Sequence, residues 1–302
     1  MKAVTIDFFV IGVARGGTTS LYHYLQQHPQ LFLPKVKECN YFTNAESLDK
    51  EVYNPPIAGE EYHMKIIRSK EVYNQLFQEA TQDQIKGEVS PAYLWDPTSA
   101  KRIYDHNPNA KIIVSLRDPI QRAYSHYLMH YHTGYDKAAS FEAALEAPKK
   151  EIWGGGNMYL EMGLYYSQLK PYFDLFDPKN IKVVVSEEWT KENGEALNDI
   201  YRFLNVDAFS NCESEETFNA SVQVKNKGLL DFLRSEKIKR SLNRILPKKT
   251  KEKLMEHIFY KESEKQPLDQ NTRENLKEYF MEDVSRTGDL IGRDLGQLWE
   301  IN

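Results

Sequence analysis

The sequence predicts an α/β fold: a parallel β-sheet flanked by helices, with a helical C-terminal part. Two observations predict it. Short runs dense in Val, Ile and Phe recur at residues 4–13, 111–116 and 181–186, and they read as strands covered on both faces. Segments with helix-like apolar spacing lie between and after them, and strands alternating with helices make a parallel sheet.

In chain order, the first run ends at Gly12 and enters a glycine-rich turn. Residues 18–27 follow, with Leu21, Tyr24 and Leu25 at helical spacing, and His28-Pro29 stops that helix. The residue before a proline is pushed out of the α region, so a helix ends there. Residues 30–34 read as a short strand or extended loop, and residues 45–64, with Pro55-Pro56 and little periodicity, as a surface loop. Residues 69–80 read as a helix, 85–88 as a short strand entering the Ser90-Pro91 turn, and 98–106 as a helix closed by Asn107-Pro108. After the 111–116 strand, Asp118-Pro119 supplies a cap and a first-turn proline for a helix reaching about Tyr131. Gly154-Gly155-Gly156 marks a turn, 163–176 an amphipathic helix, 181–186 a buried strand and 194–204 another helix. Beyond Asn226 the chain reads as mostly helical and charged, with breaks at Pro247 and Pro267. No repeat, low-complexity tract or linker divides it, so residues 1–302 read as one domain.

Composition narrows the function. The 41% hydrophobic and 27% charged residues are ordinary for a soluble globular chain. A net charge of −5 argues against a nucleic-acid partner and against a polyanionic acceptor. Cys39 and Cys212 sit in no CxxC or Cys/His spacing, which argues against a disulfide framework or a zinc site. The apolar run from Phe8 to Val13 is far too short to span a membrane and lacks the charged flank and cleavage site of a secretory signal. The expectation is a cytoplasmic protein with no membrane partner.

The segment Gly12-Val13-Ala14-Arg15-Gly16-Gly17-Thr18-Thr19-Ser20 follows a strand and opens a helix. In that setting glycines let backbone N–H groups converge, and the helix N-terminus adds partial positive charge, so the segment reads as a phosphate loop. Against the nucleotide pattern GxxxxGK[ST], Gly12 and Gly17 have the right separation and Thr19 the right type, but Thr18 replaces the lysine.

From residue 12 to 42 the chain, GVARGGTTSLYHYLQQHPQLFLPKVKECNYF, resembles the 5′-phosphosulfate loop of sulfotransferases, in the branch shared by heparan-sulfate-type and bacterial enzymes. There a basic residue precedes the glycines, a helix ends in His-Pro, and a Lys-Glu pair precedes two aromatics. Arg15, His28-Pro29, Lys37-Glu38 and Tyr41-Phe42 stand in that order here. Arg15 occupies a place where many members carry Lys; it keeps the charge and bidentate reach but cannot donate a proton. KIIVSLRDPIQRAYSHYLMHY carries a second match, with Arg117 and Ser125 at the positions that hold the donor's 3′-phosphate in the family. Gly87 to Tyr93 is similar to a step bordering the acceptor cleft, and residues 275–299, ending GRDLGQLW, resemble the closing helix pattern. The match is weak over 43–84 and 205–270; Lys225 and Lys227 are the candidates there for a basic loop near the 3′-phosphate.

The resemblance implies a P-loop-NTPase-like sulfotransferase fold. It implies 3′-phosphoadenosine 5′-phosphosulfate (PAPS) as donor and the bisphosphate PAP as product. No metal is required if a cation and the loop stabilise the departing phosphate. Arg15, Gly16, Gly17, Thr18, Thr19 and Ser20 would hold the phosphosulfate, with Arg15 and Lys37 assisting catalysis. Glu38 matches the carboxylate that takes the acceptor's proton, and Tyr41 and Tyr93 would border the acceptor. His126 and His130 are four apart, a spacing that can bind metal, but no HExxH glutamate accompanies them; His126 is kept as an acceptor contact. The acceptor is expected to be the hydroxyl or amine of a small molecule, such as a polar natural product, with a saccharide as the alternative. A P-loop kinase or a non-catalytic nucleotide-binding module is the alternative of another class.

Overall fold

A computed structural model describes residues 4–44, 67–133, 136, 138–146, 158–190, 193–209, 222–224, 260–262 and 268–302. Five strands form one parallel sheet: β1 (Phe8–Gly12), β2 (Leu31–Phe32), β3 (Ile85–Val89), β4 (Lys111–Leu116) and β5 (Ile181–Val185). Their order is β2-β3-β1-β4-β5, so the chain winds from β1 toward one edge and then crosses β1 to reach β4 and β5. Strand β1 lies centrally, with Phe8 opposite Gly87 and Lys111 and Val10 opposite Val89 and Ile113.

The pleat explains why the central runs carry no polar residue in alternation. Successive side chains point to opposite faces. Ile6, Phe9, Ile11, Ile112, Val114 and Leu116 enter one buried cluster, while Phe8, Val10 and Ile113 enter the other. Burying each such side chain contributes about 1.5–3 kcal/mol. Helix α1 (Thr18–Gln27) covers the second face with Leu21 and Leu25, joined by Trp189 of α9 (Ser186–Trp189) and Ile200 and Tyr201 of α10 (Asn193–Leu204). The first face receives α3 (Ala92–Trp95), α4 (Ser99–His106), α5 (Pro119–Thr133), α6 (Phe141–Glu146), α7 (Met158–Glu161) and α8 (Tyr165–Leu175). The C-terminal helices α11 (Gln270–Ile291) and α12 (Leu295–Trp299) close it. Helix α2 (Lys70–Gln75) packs Tyr73 into the same cluster.

Differences from the expected elements have local causes. The 69–80 helix ends at Gln75: Ser69 caps it by accepting Val72 N–H, but the amides of Leu76, Phe77 and Ala80 bond three residues back in tight turns. The helix expected from 163 starts at Tyr165, because the Gly163 and Leu164 amides bond to Leu160 and Glu161. Strand β5 reads as fully buried yet lies at the sheet edge, where Ile181 to Val184 are half-buried. Within the span expected to be helical, Tyr260–Glu262 is a strand (β7) paired antiparallel with β6 (Val222–Val224). The loop at 45–64, the turn at 154–156 and most of 226–267 lie outside the described residues. Among the described residues no helix is long and apolar enough to cross a membrane.

Candidate functional site

Loops leaving the carboxyl ends of parallel strands, where the winding direction changes, are the usual ligand sites of such sheets. The loop between β1 and α1 lies there, strapped to the end of β4. Val13 N–H donates to the Ser115 carbonyl (3.0 Å) and Gly16 N–H to the Val13 carbonyl (2.9 Å). The Ser115 hydroxyl donates to the Gly16 carbonyl (2.6 Å) and accepts from the Trp189 indole (2.9 Å). Both glycines are required. A Cβ on Gly16 would stand 2.4 Å from the Ser115 carbonyl oxygen. Gly17 has φ +83°, and a Cβ there would stand 2.6 Å from the Trp189 ring. The chain therefore runs close enough to leave a backbone cradle, and α1 begins at Thr18 with first-turn amides that have no acceptor inside the helix. Thr18 and Ser20 are buried and Thr19 is exposed.

Arg15, Arg117 and Ser125 come together from three elements. Arg15 Nε donates to Ser125 Oγ (3.1 Å), and its Nη1 lies 3.5 Å from Met129 Sδ one turn further along α5. Arg117 Nη1 donates to the Arg15 carbonyl (3.0 Å). Among the described residues neither guanidinium has a carboxylate partner. The neighbouring Asp118 is engaged elsewhere: its Oδ1 accepts the Ile120 (2.8 Å) and Gln121 (3.2 Å) amides and caps α5. Desolvation, then the charge of Arg117, lowers the Arg15 pKa from its ordinary value. Two crowded, unneutralised cations beside a helix N-terminus suit a multiply charged anion.

Glu38 lies at the same end of the sheet, its amide donating to the Val89 carbonyl at the end of β3 (3.0 Å). Lys37 Nζ pairs with Glu38 Oε1, and the Glu38 side chain keeps 36% of its surface exposed. Tyr41 is half-buried and stacks on Tyr73 with ring centres 4.1 Å apart. Tyr93 and His126 lie inside packed layers. Tyr93 is buried and its hydroxyl donates to Glu88, a bond that holds it in the wall behind the Glu38 segment. His126 packs on His130 at 4.4 Å, with its Nδ1 3.3 Å from Arg122 Nη1. Lys225 and Lys227 lie outside the described residues. Sequence reasoning missed Ser115 and Trp189, which clamp the loop, and Arg122, which is fully buried with its pKa pushed down to about 10, chiefly by desolvation. Only Arg122 left a signal, three residues before Ser125 on one helix face.

Burial, then His130 and the cations Arg122 and Arg15, holds the His126 pKa well below its ordinary 6.5. The unfolded chain takes up a proton as pH falls through 6.5 while the folded chain does not, so stability present above 6.5 is lost toward acid. The loss is at most about 1.4 kcal/mol per pH unit. His126→Gln should remove that slope: urea midpoints at pH 7 and pH 5.5 should differ less in the variant by the equivalent of about 1 kcal/mol.

Residues 7–211 match the family described as "Sulfotransferase family". Among solved structures the chain is similar to a sulfotransferase from Alicyclobacillus acidocaldarius, 26% identical with a TM-score of 0.69, covering 98% of this chain and 99% of that one. Among curated proteins it is similar to the membrane-associated sulfotransferase kil1 of Dictyostelium discoideum, 35% identical over 121 residues, which cover 40% of this chain and 22% of that protein. It is also similar to carbohydrate sulfotransferase 15 of Homo sapiens, 24% identical over 249 residues, covering 67% of this chain and 44% of that protein. The chain thus spans less than half the length of these curated relatives.

Proposed function

The chain belongs to the sulfotransferase family, and from that premise we propose that it moves a sulfuryl group from PAPS to a hydroxyl or amine of a small molecule. The observation that carries the donor assignment is the convergence of Arg15, Arg117 and Ser125 without a neutralising carboxylate among the described residues. The cradle fits such a donor, because the space a Cβ would fill at Gly16 and Gly17 is closed by Ser115 and Trp189, leaving backbone alone on the open side. Arg15, Gly16, Gly17, Thr18, Thr19 and Ser20 would hold the phosphosulfate end. Arg117 and Ser125 would hold the 3′-phosphate, with Lys225 and Lys227 as further candidates.

The donor supplies a sulfuryl group whose sulfur bonds the acceptor atom as its bond to the bridging phosphate oxygen breaks. The protein's part is positioning and charge stabilisation, which carry most of the rate in such loose transfers. Glu38 accepts the acceptor's proton, and Arg15 stabilises charge on the departing phosphate without giving up a proton. Lys37, which pairs with Glu38, would assist by binding sulfuryl oxygens.

A kinase reading has less support: Thr18 replaces the P-loop lysine, and Asp118 caps α5. Among polar natural products, a cationic one suits the net charge of −5. A saccharide acceptor is the second reading, favoured by the similarity to carbohydrate sulfotransferase 15.

Calorimetry tests the donor site. PAP should bind wild type without magnesium, and Arg117→Ala should weaken it about 10- to 100-fold, the worth of a charge-assisted contact. Preference for ATP with magnesium would overturn the reading and promote the kinase.

A further inference from the structure

Glu88 on β3 is buried and accepts three hydroxyl hydrogens: Oε1 from Ser90 (2.7 Å) and Tyr93, and Oε2 from Tyr73. An ionised carboxylate only accepts, and a hydroxyl has one hydrogen to give. Each of these hydroxyls, having donated to Glu88, offers only lone pairs to anything else. Ser90 Oγ accepts the Asn40 amide (3.2 Å), and Tyr93 Oη accepts the Phe42 amide (3.4 Å). The third, Tyr73, stacks its ring on Tyr41, 10° from parallel.

The segment so held is strained. Glu38 and Asn40 have φ of 62° and 51°. For Glu38 that conformation costs about 1–2 kcal/mol and is kept only where neighbours over-determine it, whereas Asn40 adopts it more readily through the local bond of its side chain. The neighbours are the Val89 carbonyl on the Glu38 amide, the Glu38 carbonyl on Asn40 Nδ2 (3.0 Å), and the two hydroxyls that Glu88 orients. The geometry points to Glu88 as a positioning residue: through Ser90 and Tyr93 it fixes the backbone of residues 38–42, and with it the direction in which Glu38 meets the acceptor. This rests on the reading of Glu38 as the proton acceptor. Burial holds the Glu88 pKa above its ordinary value, and the three hydroxyl bonds oppose that rise without cancelling it.

In Glu88→Ala neither accepting oxygen remains, so the Ser90 and Tyr93 hydroxyls are free to turn their lone pairs away from the 38–42 backbone. Ser90→Ala removes one relay with little change of volume and serves where Glu88→Ala folds poorly. By site-resolved hydrogen exchange, the Asn40 and Phe42 amides in Glu88→Ala, and the Asn40 amide in Ser90→Ala, should exchange about 10- to 100-fold faster. PAP affinity should stay within about twofold of wild type. Turnover, read as PAP released from PAPS with glucosamine as probe acceptor, should fall about 10- to 50-fold, but less than about twofold when Glu38→Gln is already present. Unchanged exchange at these amides, or a loss carried in full into the Glu38→Gln background, would overturn the inference alone. Full turnover by Glu38→Gln would instead overturn the proton-acceptor reading, and this inference with it.

Discussion

Replacing Glu38 by Gln should lower kcat by about 10²- to 10⁴-fold, the usual worth of a positioned general base, while PAP affinity stays within about twofold. The substitution keeps shape and a hydrogen-bonding carbonyl, so the left-handed backbone at residue 38 is equally strained in both proteins. Lost are the capacity to take a proton and the ion pair with Lys37. The loss should depend on the acceptor. An acidic phenol, which sheds its proton late and easily, should suffer less than an alkanol or sugar hydroxyl. A steady-state comparison of two such acceptors measures this; equal losses for both would remove Glu38 from the proton-transfer role.

Arg15→Ala should lower kcat by about 10²- to 10³-fold, the scale of removing one donor aimed at developing negative charge. It should also weaken PAP, because Arg15 carries the bond to Ser125. Arg15→Lys keeps the charge without the fork and should retain turnover within about tenfold of wild type. Arg15→Gly separates function from stability. Arg15 holds φ of 72°, a conformation that glycine adopts freely. That variant should melt higher, by the equivalent of about 1 kcal/mol, while losing the same kcat as Arg15→Ala. A lower melting temperature would mean that the contacts to Ser125 and Met129 outweigh the strain.

The elements read best from sequence are those punctuated at both ends. Helix α1 lies between Gly17 and His28-Pro29, and β4 between a turn containing Pro108 and the Asp118-Pro119 helix start, and both match residue for residue. The loop glycines are legible because a phosphate loop needs residue types that neighbours in sequence reveal; Arg117 and Ser125 are named only through the family resemblance. What holds the loop is not legible. Ser115 and Trp189 meet the loop from 99 and about 170 residues away, and nothing local announces either. The resemblance of residues 87–93 to a step bordering the acceptor cleft names Tyr93, and His126 is named as an acceptor contact, but neither reading says which way a side chain turns: Tyr93 is buried against Glu88 and His126 against Arg122. The run at 181–186 reads as buried because an apolar sequence does not say whether a second neighbour strand exists.

Helix α8 takes its N-terminal acceptor from Asp283 on α11, which receives the Tyr165 amide at 2.6 Å across 118 positions of chain. Beside Asp283 on α11 are Phe280 and Val284, both wholly buried. During synthesis the N-terminal residues emerge first, so the β1 loop, Arg117 and Ser125 leave the ribosome well before the residues that cap α8 and seal the face it packs on. The nascent chain therefore carries the corner formed by the β1 loop, Arg117 and Ser125 while one apolar face still lies open. Its window of exposure to chaperones and to aggregation ends only when residue 284 is free to dock.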